Sequence, residues 1–190
     1  MKSNKYSLVS EACLAVLSLR GLNALNVSGV AKRSGVSRGW IYKYVGANKE
    51  ALLTFSVKAF GEKVLQPERM GQSGTPQEWQ SYYLPELERT YALVKEHPWL
   101  PNVYYKYRYS TSSVGAVIKE IEFQAREARA NELRRSWGLS AKQASPLASV
   151  LVAIRMGLAF HWMSCGDNDV VDQIRVLNDL VGQFVKAAGK

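Results

Sequence analysis

The sequence predicts an all-α chain, and three observations carry that expectation. Apolar residues recur at helical spacing from one end to the other, no run alternates as a strand would, and Gly, Pro, Asn and Ser stand where helices must start or stop. Hydrophobic residues at 47% and charged residues at 22% are ordinary for a globular protein. A length of 190 residues suffices for one sizeable core, or for a small module joined to a larger one.

The first helix carries Leu8, Ala12, Ala15, Val16 and Leu19 on one stripe, with Ser3 or Asn4 as its cap and Gly21 as its stop. Asn26 caps a short helix bearing Val27, Val30 and Ala31, which Gly35 ends. Ser37 caps a second short helix through Tyr44. Asn48 caps a third, with Glu50 in its first turn and Leu52, Phe55, Ala59 and Val64 facing inward. Residues 66–76 turn to Gly, Pro, Ser and Gln, the composition of a loop between modules. Beyond it, Pro85 kinks or starts a helix, with Glu86 and Glu88 suited to a first turn, and His97-Pro98 closes that segment. Further helices are expected over 99–109, 113–137, 146–164 and 168–188.

The net charge of +9 is unevenly placed. Residues 1–50 hold eight Lys and Arg against Glu11 and Glu50, a net of +6, while the other 140 hold seventeen against fourteen. A basic N-terminal quarter points to a polyanion, since phosphate neutralisation supplies most non-specific affinity for DNA; a solvated basic face is the plain alternative. Cys13 and Cys165 have no ligand or redox spacing and read as reduced and buried. Lys2 and Lys5 before an apolar run resemble a secretory leader, but Glu11 and Ser7, Ser10 and Ser18 interrupt it, so a cytoplasmic protein is expected. Residues 146–164 are short for a membrane span and carry Arg155 and His161, which suits a helix buried on several sides and implies no membrane partner.

Two short helices joined by Arg33-Ser34-Gly35-Val36 describe a helix-turn-helix, whose second helix enters the major groove of DNA. Ala31 is small where the helices approach, Gly35 is free to take a positive φ, and Val36 with Ile41 closes a small core. With these residues in view, 26–53 (NVSGVAKRSGVSRGWIYKYVGANKEALL) resembles the DNA-binding segment of the TetR family of transcriptional regulators. The likeness runs closely over residues 5–65. Beyond it, only size and helical character agree.

The resemblance implies an N-terminal three-helix helix-turn-helix domain at 1–47, a connecting helix at 48–66 and a larger helical ligand-binding and dimerisation domain at 67–190. It implies DNA contacts from Asn26, Ser37, Arg38, Gly39, Trp40, Tyr42, Lys43, Tyr44 and Lys49. Arg38 and Lys43 suit base edges, because a guanidinium pairs twice with the acceptors of guanine, and Gly39 would let the backbone approach a base. Ser37, Tyr42, Tyr44 and Lys49 suit phosphates. Three positions depart from the family pattern. Gly29 stands where an acid is usual, Trp40 replaces a small residue and Val45 an aromatic. Trp40 either presses on thymine methyls or the sugar backbone, the reading slightly preferred, or fills the space left by Val45.

A helix-turn-helix meets one half-site, so a homodimer on a palindromic double-stranded operator is implied, with recognition helices about 34 Å apart or a multiple of it. Val170, Ile174, Leu177, Val181 and Phe184 mark a seam at near-heptad spacing for that dimer; completion of the monomer's own core is the alternative. Nine of the twenty aromatics lie between Trp79 and Tyr109. For any single ring core packing is the plain alternative, but the resemblance implies a pocket here, for a small hydrophobic or aromatic effector, lined by Trp79, Tyr82, Tyr83, Glu86, Tyr91, Trp99, Tyr104 and Tyr105, with Phe123 and Phe160.

Arg126, Arg129, Arg134 and Arg135 share a helix with Glu120, Glu122, Glu127 and Glu132 and read as a solvated, salt-bridged face. His97 fits a helix end and His161 the buried helix; neither has metal-ligand spacing. No nucleophile triad, paired carboxylates, P-loop or dinucleotide motif is present, so neither an enzyme nor a cofactor is expected. Within the family's habit the expected role is a repressor released by its effector, the alternative being the same fold governed by a protein partner or acting architecturally.

Overall fold

The computed structural model describes residues 2–65, 75–165 and 170–188. Among them the helices run α1 (Lys2–Arg20), α2 (Val27–Ser34), α3 (Arg38–Tyr44), α4 (Lys49–Leu65), α5 (Pro76–Glu96), α6 (Leu100–Tyr107), α7 (Ser113–Trp137), α8 (Ala141–Cys165) and α9 (Val170–Ala188). A 3-10 turn at Leu22–Ala24 joins α1 to α2. The described residues contain no strand.

The chain divides into two compact units, and the division is not consecutive. Unit 1 is Met1–Val64 with Glu96–Ile121; unit 2 is Leu65–Lys95 with Glu122–Lys190. The domains expected at 1–47, 48–66 and 67–190 follow one another along the chain, whereas the fold adds α6 and the start of α7 to the N-terminal unit.

In unit 1 the caps act where the sequence put them. The Asn26 side chain accepts the Gly29 N–H at 2.8 Å, the Asn48 side chain accepts that of Ala51 at 2.8 Å, and Gly35 ends α2 with φ 68°. Ala12, Val16, Val27, Val30, Ile41 and Leu52 are buried, as expected; Leu14, Leu17, Leu25 and Leu53, outside the predicted stripes, are buried with them, and Leu8, on the predicted stripe of α1, is 40% exposed. Leu19, placed on the inner stripe of α1 by spacing, is instead 70% exposed at the last turn of the helix. The later segment brings His97 into this unit. Its ring meets Phe60 and Trp99 edge-on at 5.2 and 6.1 Å, and its Nδ1 lies 2.8 Å from the Ser18 hydroxyl. Burial pushes the Cys13 thiol up to about 11, against a smaller opposing hydrogen bond to Ser56, so it stays neutral.

Unit 2 decides one helix start that the sequence left open and corrects another. Thr75 and Glu78 form a reciprocal cap, each side chain taking the other's backbone N–H at 3.2 Å, and α5 therefore begins nine residues before Pro85, which stands inside it. Ser140 and Gln143 do the same for α8, leaving Pro146 inside rather than at its start. Each reciprocal cap satisfies two donors that the helix leaves open, which fixes the start ahead of the proline. Trp79, Leu87, Leu133, Leu139, Leu147 and Leu151 form the core of this unit, with Tyr91, Trp137, Leu158 and Leu177 packed against it.

Beside that core lies a buried ionic network. Both Glu86 carboxylate oxygens accept from arginines, Oε2 from Arg129 and Oε1 from Arg155. Arg129 also pairs with Glu132, and Arg155 Nε donates to the Thr90 hydroxyl at 2.8 Å. Two carboxylates and two guanidiniums balance, as burial demands. Arg129 and Glu132 are thus interior, not part of a solvated face; Glu122 and Arg126 do pair nearer the surface, at 3.7 Å. Burial alone would raise the Glu86 carboxyl, but the flanking Arg129 and Arg155 charges outweigh it and hold the group below its ordinary range. No helix of the described residues is long and apolar enough to cross a membrane. His161, expected inside, lies on an exposed side of α8 with Val150, Ala153 and Gly157.

Candidate nucleic-acid interface

The charge of the sequence resolves sharply on the fold. Unit 1 holds thirteen Lys and Arg against five acids, a net of +8, and unit 2 twelve against eleven, a net of +1. Nearly all of the net charge thus belongs to the unit that carries the helix-turn-helix.

Within that unit α2 and α3 pack together, with Val30, Val36 and Ile41 buried. The Ser37 hydroxyl caps α3 by accepting the Trp40 N–H at 3.3 Å. Burying Ile41 turns Arg38, Gly39, Tyr42 and Lys43 outward, and all four are exposed. Lys43 Nζ sits 5.3 Å from the Tyr44 ring centroid. A Cβ built on Gly39 would meet no atom within 4 Å. The fold does not require glycine there.

Several assigned residues also make contacts inside the chain. Asn26 spends both ends of its amide, accepting from Gly29 and donating to the Ala24 carbonyl at 2.9 Å, so its visible work is to start α2. Trp40 is half-buried, its indole edge-on to Tyr6 at 5.0 Å and tilted against Tyr44 at 4.9 Å. Tyr6 also meets Phe55 at 6.2 Å, so one aromatic group ties α1, α3 and α4 together. That favours the space-filling role for Trp40, and Tyr44 shares it. Lys49 is exposed at the start of α4, its Nζ 3.4 Å from Asn23 Oδ1.

One connection was not visible in the sequence. Glu50 Oε1 accepts from the Ser113 N–H at 3.2 Å and from its hydroxyl at 2.8 Å, while the Thr54 and Ser113 hydroxyls meet at 2.8 Å. Glu50 stands in the first turn of α4 as expected, and it also caps the start of α7. A gap of 63 positions hides such a pair from any local pattern.

The residues expected to line an effector pocket fall in both units. In unit 1, Trp99 is buried against Phe60 and His97, and Tyr104 and Tyr105 meet edge-on at 5.5 Å. In unit 2, Trp79 is fully buried and edge-on to Trp137 at 5.7 Å, Tyr91 packs on the core, Tyr82 is half-buried and Phe160 buried. Glu86 is committed to its two arginines, and Phe123 is exposed. The side chain of Tyr83 lies outside the described residues, as do those of Val170, Ile174, Val181 and Phe184 on the dimer seam. Leu177, the described member of that seam, packs on the core of its own unit; Val176 and Leu180 beside it are 59% and 57% exposed.

Comparison with known proteins agrees with this geometry. Residues 10–54 match the model of the bacterial regulatory proteins of the tetR family. No curated protein matches the chain. Among solved structures, a transcriptional regulator from Pseudomonas aeruginosa PAO1 superposes with TM-score 0.77 at 20% identity, over 98% of this chain and 92% of that one. The fatty acid degradation regulator FadR from Bacillus halodurans gives 0.68 at 17% identity, over 93% and 94%. The TetR family repressor AlkX from Dietzia sp. strain DQ12-45-1b, implicated in biodegradation of n-alkanes, gives 0.64 at 19%, over 96% and 97%.

Proposed function

We propose that this chain is a homodimeric DNA-binding repressor of the TetR family, released from a palindromic operator by a small hydrophobic effector. The observation that carries the DNA half is the outward row of α3, Arg38, Gly39, Tyr42 and Lys43, on a unit of net charge +8. Arg38 and Lys43 read base edges, Gly39 admits a base to the backbone, and Ser37, Tyr42 and Lys49 hold phosphates. Trp40 acts indirectly, by setting the pitch of α3 against Tyr6 and Tyr44.

The dimer uses the faces that unit 2 leaves uncovered, Val150, Ala153 and Gly157 on α8 with Val176 and Leu180 on α9. Small residues on α8 let a partner helix approach closely. The effector binds unit 2 and shifts the population toward a dimer whose α3 helices no longer fit successive turns of the groove. An alkane-related repressor and a fatty acid degradation regulator among the similar structures support an acyl or alkyl effector. A second reading rests on the commitment of Trp79, Tyr91 and Glu86 to packing and ion pairs, which favours control by a protein partner instead.

Selection of bound sequences from random duplexes tests the proposal. The expected product is a palindrome with half-sites about one helical turn apart or a multiple of it. Recovery of no enriched sequence overturns it. For the effector, medium-chain alkanes and fatty acids are titrated into the operator complex, and release by one of them is expected; failure of all of them, with the operator still bound, sinks the small-molecule half.

A further inference from the structure

We propose that the turn joining α6 to α7 is a second DNA-contacting element of this chain, in which Lys106 and Arg108 hold phosphates outside the helix-turn-helix. The inference rests on the reading that unit 1 binds DNA, and extends it to residues far from the motif.

The first support is charge. Between Glu96 and Glu120 the sequence has no Asp or Glu, yet it carries Lys106, Arg108 and Lys119. Two of these cations are held among rings. The Arg108 guanidinium lies 5.3 Å from the Tyr104 centroid and 5.1 Å from that of Tyr109, and Lys106 Nζ lies 5.4 Å from that of Tyr107. Such stacking limits the rotamers a cation must give up on meeting a phosphate, which makes the contact less costly to form. Tyr105 and Tyr109 stand 63% and 81% exposed beside them.

The second support is placement. The turn is built, since the Ser110 hydroxyl donates to the Tyr107 carbonyl at 2.8 Å and meets that of Ser112 at 2.6 Å. It lies directly on the first turn of α7. A Cβ on Gly115 would stand 2.5 Å from the Ser110 carbonyl oxygen and 2.7 Å from that of Tyr107, so only glycine permits the approach. That first turn is in turn fastened to the start of α4 by Glu50 and Ser113. Glu50 follows Lys49, a phosphate contact in the proposed function. The basic turn and the DNA face therefore share an edge, and the partner that fits both is the same duplex beyond the bases read by α3.

The test uses the full-length protein and its Lys106→Gln/Arg108→Gln double variant. Binding to the selected operator and to a random duplex of equal length is followed by fluorescence anisotropy over roughly 50 to 200 mM salt. The slope of log affinity against log salt is expected to fall by about two per half-site, and both duplexes should weaken by the same factor. Both side chains reach the surface, and an unchanged thermal melt would confirm that the variant folds. An unchanged slope overturns the proposal while leaving the helix-turn-helix reading intact. Absence of salt-dependent duplex binding in the unaltered protein overturns that reading as well. Loss of binding to polyglutamate with the DNA slope retained also overturns the proposal, in favour of an acidic protein.

Discussion

Gly39→Ala separates what α3 needs in order to fold from what it needs in order to read DNA. In a helix interior glycine is about 0.8 to 1.0 kcal/mol less favourable than alanine. Gly39 is the second residue of α3, where part of that penalty applies, and the added methyl meets nothing within 4 Å. The variant is therefore expected to be more stable by about 0.5 kcal/mol, raising the midpoint of a thermal melt by about 1 to 2 °C for a chain of this size. On the operator the sign reverses. A methyl between the helix backbone and a base edge displaces a contact worth about 1 to 3 kcal/mol, or an order of magnitude in affinity. Gly29→Ala is the control, because its Cβ would sit at an ordinary 3.4 Å from Asn26 Oδ1 on α2 and should stabilise without touching DNA affinity. Calorimetry and operator titration on the two variants give the answer. A more stable Gly39→Ala protein with unchanged operator affinity would refute the reasoning.

Arg38→Ala should cost about 1 to 3 kcal/mol on the operator and relax sequence choice, whereas Lys49→Ala should weaken all duplexes alike and lower the salt slope by about one; equal losses on operator and random DNA for Arg38→Ala would remove it from the base readers. Glu86→Gln removes the buried carboxylate that Arg129 and Arg155 share, and should cost about 3 to 5 kcal/mol by urea unfolding. Because the folded carboxyl lies below its ordinary 4.5, the Glu86 contribution is full above that pH and is lost as the pH falls through the lower folded value. The variant's stability should therefore vary less than the unaltered protein's below that pH, and parallel acid profiles would contradict the assignment. Trp40→Ala should destabilise the protein by about 1 to 3 kcal/mol, with Trp40→Phe recovering part of it; a neutral Trp40→Ala with lost operator affinity would return the indole to the DNA.

The N-terminal helices were legible because their signals are local. Asn26, Ser37 and Asn48 each cap within three residues, and Gly35 announces its own positive φ. The starts of α5 and α8 were equally local, in Thr75-Glu78 and Ser140-Gln143, but Pro85 left the first open and Pro146 drew the second toward itself. What the sequence hid was long-range. Arg129 and Glu132 have the spacing of a surface pair, and only Glu86, 43 positions upstream of Arg129, makes them interior. Likewise, Trp40 looked available to DNA because the ring it leans on, Tyr6, belongs to another helix. Aromatic density between 79 and 109 suggested one pocket, since composition cannot say that Trp99 and Trp79 serve different units.

The interrupted make-up of unit 1 also bears on how the protein is born. A ribosome releases the cap residues of α2, α3 and α4 early, and their small core is available to form at once. The partners of Ser18, Phe60 and Glu50 are His97, Trp99 and Ser113, and these emerge only after the 65–95 segment of the other unit has been made. Synthesis at about 5 to 20 residues per second puts seconds between the two events. For that interval the nascent chain holds the recognition helix without Ser113 bound to Glu50, and the DNA-binding unit closes only when more than half of the polypeptide exists.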